Sequence, residues 1–131
     1  MNVMNRAILK RLKANSRMSW QQIGKEVHLT GQAVAARVQH MEDQGLISSY
    51  TIRQANVERH LIAMYMEVAR FEEFEQFLQA DERVEAAYKT TGDACYEVVF
   101  VSQTEGDLEP FLNQLLRYGR YRVASVIRCV K

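Results

Sequence analysis

The chain has 131 residues, 47% of them hydrophobic, and a formal net charge of +1. That length fits one domain or two small ones with a real core. Cys95 and Cys129 lie far apart in no metal-ligand pattern, and no apolar run approaches the ~20 residues that cross a bilayer, so the expected setting is a reducing cytoplasm with no membrane partner. The charge is divided unevenly: residues 1–54 hold eight Lys and Arg against three acids, net +5, and residues 55–131 hold nine against thirteen, net −4, which suggests a nucleic-acid-facing part joined to a part with another task.

Taken in order, residues 4–14 read as a helix with Ile8, Leu9 and Leu12 on one face and Arg6, Lys10, Arg11 and Lys13 outside it. Asn15 and Ser16 stop it, and Trp20 is expected to pack against it. Ser19 is an N-cap, with Gln22 three residues on as a capping box requires, so a second helix covers about 19–27 with Ile23 and Val27 inward. His28 occupies the turn and Leu29 plugs the gap between helices. Thr30 caps a third helix over about 31–43, in which Val34, Val38 and Met41 recur at the helical period. Gly45 follows where a left-handed residue ends a helix, and Leu46 and Ile47 close the cluster. Residues 46–54 alternate like a strand and connect the basic half to the acidic half.

A short helix, a tight turn and a second helix form a helix-turn-helix, whose second helix enters the DNA major groove; an ordinary helical hairpin is the structural alternative. The third helix then carries the readout. Gly31, Gln32, Ala33, Ala35, Ala36, Gln39 and His40 lie off its apolar stripe, with Gln32 able to pair bidentately with adenine and the small residues permitting close approach. Ser19, Thr30, Lys10, Arg11, Lys13, Arg17, Lys25 and Arg53 are candidate backbone contacts. Arg37 serves either a phosphate or the bracing of the unit, and its alternative is a salt bridge to Glu42 or Glu26.

The acidic half reads as strand 62–69, helix 71–80, strand 84–91, turn 92–94, strand 95–102, helix 107–118 and strand 123–130. His60 reads as a solvated loop residue. The order βαββαβ is the ferredoxin-like split βαβ, an α+β arrangement whose antiparallel sheet carries helices on one face. The other face is apolar and needs a cover, and a second copy of the chain is the economical one. The expected division is residues 1–45 for DNA binding, 46–56 as connecting strand or linker, and 57–131 for effector binding and oligomerisation.

With Ile8, Leu9, Leu12, residues 16–19, Ile23-Gly24-Lys25-Glu26-Val27, Leu29-Thr30, Arg37-Val38, residues 41–47, Tyr50-Thr51 and Thr91-Gly92-Asp93 on the page, the chain resembles the Lrp/AsnC family of leucine-responsive transcriptional regulators over nearly its whole length. The resemblance implies a three-helix winged-type helix-turn-helix followed by a ferredoxin-like regulatory (RAM) domain. It also implies double-stranded DNA as partner, a nucleoid setting in a bacterium or archaeon, dimers that assemble into tetramers, octamers or hexadecamers, and amino-acid binding near the turn between the second and third strands of the domain. No metal and no cofactor other than such an effector is expected. Thr91, Gly92, Asp93, Ala94 and Cys95 are the effector-site positions, glycine-turn amides suiting a carboxylate and Asp93 an amine; a plain connecting turn is the alternative. Asn5 stands where the family has an acid in the first helix, His28 where it has a turn glycine, and Ala94-Cys95 where a further aspartate is common.

An enzyme is not expected, since no His, Cys and acid cluster, phosphate loop or nucleophile-base pair is evident and His28, His40 and His60 are scattered. Two readings stay open: a sequence-specific regulator, and a low-specificity DNA organiser using the same helices.

Overall fold

The computed structural model describes residues 2–131 and divides into two compact units, Met1–Arg53 and Gln54–Lys131. The first unit contains helices α1 (Val3–Ala14), α2 (Trp20–Val27) and α3 (Gly31–Asp43). Each begins on a polar cap that satisfies otherwise orphaned amides. The Asn2 side-chain Oδ1 accepts from the Met4 and Asn5 amides, the Ser19–Gln22 capping box forms in both directions, and Thr30 Oγ1 accepts from Ala33. The expected turn chemistry also holds. His28 adopts the left-handed conformation (φ 61°, ψ 45°) usually left to glycine, and its amide closes α2 on the Gly24 carbonyl. Gly24 is needed for a different reason: a Cβ there would collide with the Leu29 carbonyl oxygen, so its absence lets the turn close over α2.

Ile8, Leu12, Ile23, Val27, Val34, Val38 and Met41 form the core of this unit, with Leu29 and Ile47 packed beside it. Four expectations fail here. Trp20 is 40% exposed and lies outside that core, and Leu46 is exposed as well. Residues 46–54 form no strand, and no wing follows α3 among the described residues. The alternation in this stretch meets neither of a strand's needs, a neighbour for its amides and a cover for its apolar side chains. After a turn in which Leu46 and Ile47 donate to the Met41 carbonyl, the chain runs exposed through Tyr50 and Ile52.

The second unit contains β1 (Glu58–Met66), α4 (Phe71–Ala80), β2 (Val84–Lys89), β3 (Tyr96–Ser102), α5 (Leu108–Leu115) and β4 (Gly119–Ser125). The strands make an antiparallel sheet in the order β2-β3-β1-β4, the split βαβ that the element order predicts. Ile62, Met64, Val98 and Phe100 point to one face and meet Phe74 and Leu78 of α4 and Phe111 and Leu115 of α5. The alternate positions, Leu61, Ala63, Val99 and Val101, belong to the opposite, helix-free face, and Leu61 is 39% exposed there.

The outer strand positions differ from expectation. β1 starts at Glu58 rather than 62, and the last strand covers Gly119–Ser125 rather than 123–130. β1 sets both limits, because β4 pairs along it from Met66↔Gly119 to His60↔Ser125. A Cβ at residue 119 would collide with the Tyr65 carbonyl, so the glycine lets β4 begin there. The apolar Ile127 and Val130 that read as strand are exposed beyond its end. His60 is no loop residue. It is 6% exposed on β1, with Nδ1 at 2.7 Å from Ser125 Oγ and Nε2 at 3.3 Å from Ser102 Oγ. Those hydroxyls, contributed by both neighbouring strands, are what make a buried imidazole tolerable.

Candidate nucleic-acid interface and ligand turn

α3 has two faces. Val34, Val38 and Met41 are buried, and on the opposite side Gln32, Ala36 and His40 are exposed at i, i+4, i+8 spacing. The Gln32 side chain makes no hydrogen bond among the described residues, so its amide is available to a base edge. Gln39 is also exposed, but its amide nitrogen donates to Asp43 Oδ1 at 3.0 Å, which holds it beside a negative charge. The Ser19 and Thr30 hydroxyls accept the cap bonds of α2 and α3. Gly31 is half-buried, and an added Cβ would lie 3.2 Å from the Gln21 side chain, so this position serves the approach of α2 to α3. Ala33 and Ala35 are likewise half-buried.

Lys10, Lys13, Arg17, Lys25 and Arg53 are exposed cations. Arg11 is less free: its guanidinium donates to the Ala7 carbonyl at 3.2 Å and lies 4.0 Å from Glu26. Arg37 meets neither Glu42 nor Glu26. Its Nη1 donates to Asn5 Oδ1 at 3.2 Å, bracing α3 against α1. Asn5 is thus a residue of this surface that its sequence position alone did not place there. The available signal was its exchange for an acid in a first helix otherwise close to the family pattern.

The β2–β3 turn brings Thr91, Gly92, Asp93, Ala94 and Cys95 together, with the first three exposed, Ala94 half-buried and Cys95 packed beside the sheet core. Gly92 sits at φ 101°, a conformation side chains disfavour, and is open on its Cβ side. Part of the turn's bonding capacity is used internally. Thr90 Oγ1 donates to the Ala94 carbonyl at 3.1 Å, the Ala94 amide donates to Asp93 Oδ1 at 3.0 Å, and the Cys95 amide donates to Met64 O at 2.7 Å. The amides of Thr91, Gly92 and Asp93 make no backbone hydrogen bond among the described residues, which leaves them for a carboxylate. Beyond the turn, burial and then the Glu75 carboxylate, 2.6 Å from the hydroxyl, push Tyr96 above tyrosine's usual pKa, so it stays a neutral donor. Among the described residues no group of three or more His, Cys, Asp and Glu could hold a metal ion, and no helix is long and apolar enough to cross a membrane.

Both units match known families. A model of the AsnC-type helix-turn-helix domain matches residues 1–42, and one of the Lrp/AsnC ligand binding domain matches residues 59–131. The HTH-type transcriptional regulator LrpB of Bacillus subtilis (strain 168) is 32% identical over 129 residues, covering 95% of this chain and 87% of that protein. LrpA of the same organism is 31% identical, covering 94% of this chain and 95% of its own length. In structure, B. subtilis LrpC superposes with a TM-score of 0.85 at 23% identity, covering 100% of this chain and 97% of that one.

Proposed function

The chain belongs to the Lrp/AsnC family of DNA-binding transcriptional regulators, which are not enzymes, and on that premise we propose that it reads a specific operator through the exposed Gln32–Ala36–His40 face of α3. That face carries the reading: it lies opposite the buried stripe and offers an uncommitted amide in the more basic unit. Arg17, Lys10 and Lys25 add phosphate contacts without sequence information. With Gln39 held by Asp43, few groups reach base edges, so indirect readout and oligomerisation supply the remaining discrimination.

The open sheet face around Leu61 and Val99 supports homodimerisation, with a higher assembly such as an octamer built from dimers. A dimer places two α3 helices on a pseudo-palindromic site. The working division is 1–45 for DNA, 46–56 as linker and 57–131 for effector binding and assembly, in the cytoplasm. The effector is an amino acid or a related small molecule, its carboxylate on the Thr91–Asp93 amides and its amine on Asp93. Calorimetric titration of the twenty amino acids, repeated on Asp93→Ala, tests that assignment. Heat from one or a few of them that disappears in the variant supports it, and silence across all twenty at millimolar concentration refutes it.

A further inference from the structure

An open notch of about 580 Å³ lies between the start of α1 and the middle of α3, lined by Asn2, Asn5, Ala36, Arg37, His40 and Gln44 among others, none of them acidic. Arg37 is the cation inside it. Among the described residues its hydrogen-bond partner is the amide of Asn5, which fixes the guanidinium without neutralising it, and it enters no salt bridge. A guanidinium carries five N–H donors in a fixed fork, and the contact to Asn5 engages Nη1. The remaining lining groups suit an anion as well. The first turn of the twelve-residue α1 has no acidic residue, and His40 stands exposed at the rim. The notch shares Ala36 and His40 with the exposed face of α3. A duplex laid along that face therefore brings its sugar-phosphate backbone to the notch.

We propose that this notch is a phosphate site, with Arg37 braced by Asn5 as its cation and a backbone phosphate of duplex DNA as its occupant. The inference rests on the DNA-binding function and adds to it a contact from the α1 side of the unit. Asn5 is a positioning residue here: neutral, it holds Arg37 in place and leaves its charge for the ligand.

Two substitutions at one position separate charge from bracing, with the full-length protein binding a fixed duplex over a series of salt concentrations. Asn5→Asp keeps a partner for Arg37 but neutralises it. It is expected to weaken binding several-fold and reduce the slope of log K against log salt by about one, with thermal stability kept or raised. Asn5→Ala removes the brace and leaves the charge, so its slope stays at the wild-type value. An unchanged slope and affinity in Asn5→Asp overturns the proposal, as does an equal loss in both variants with the slope unaltered, which would make Arg37 purely structural. Inorganic phosphate is followed in parallel by the Arg37 Nε–H resonance. A shift with free phosphate while the DNA slope ignores Asn5→Asp assigns the notch to small anions and refutes the DNA contact. Wild-type protein that binds no duplex removes the underlying function, an outcome distinct from all of these.

Discussion

In the helical unit the buried side chains are aliphatic or methionine, from Ile8 through Met41, and the side chains proposed to work point the other way. In the sheet unit half of the ten buried core residues are aromatic, Phe74, Tyr96, Phe100, Phe111 and Tyr118, and the proposed working groups are mostly backbone amides at a turn. The difference teaches where each unit is vulnerable. A recognition face built from exposed side chains can be altered without disturbing its core. A turn that works through amides responds to whatever shifts the strands beneath it.

The largest expected effect lies in the aromatic core. Phe100 is fully buried, with its ring stacked on Phe111 at 4.3 Å between centroids. Phe100→Ala should destabilise the sheet unit by about 3–5 kcal/mol, read by denaturant unfolding; a loss below about 1 kcal/mol would mean that the core is not packed as described. Next comes Gly24→Ala, where the new methyl meets a backbone carbonyl that cannot swing aside. It should cost about 1–3 kcal/mol and weaken DNA binding with it, because the turn that sets α3 against α2 must open. Gln32→Ala sharpens the contrast. It should leave thermal stability unchanged and remove about 1–3 kcal/mol of discrimination at one base position, and an unaltered base preference would remove Gln32 from the readout.

The smallest effect is electrostatic and belongs to the sheet unit. Arg83, hydrogen-bonded to both oxygens of Asp81, holds that carboxyl below the usual carboxylate range. A lowered folded-state pKa means that the contribution is present in full above the ordinary carboxylate value and is lost as pH falls through the lowered one. Wild-type stability should therefore decline on acidification below about pH 4, and Asp81→Asn should flatten that decline. Parallel acid limbs in the two proteins would show that the pair adds nothing.

The helical unit was the more legible in sequence. Its caps and stripes are local patterns, and Ser19, Gln22 and Thr30 do in the structure what their positions implied, whereas the left-handed backbone of His28 is settled by the structure. Strands are defined by neighbours, and neighbours are distant in sequence. Residues 46–54 alternate yet pair with nothing, while β4 begins at a glycine of low strand propensity because β1 and the Tyr65 carbonyl fix its start. His60 was misread for the same reason, since Ser102 and Ser125 come from two other strands. At the recognition face, exposure followed from periodicity, but the commitments of Gln39 to Asp43 and Arg37 to Asn5 required side-chain positions.

The central claim, that α3 reads sequence, is tested most directly by selecting bound genomic DNA fragments with the purified full-length protein at two salt concentrations. The account predicts a two-fold-symmetric motif that persists at the higher salt and changes at one position in Gln32→Ala. Uniform recovery that collapses with salt would contradict it and leave a non-specific DNA organiser.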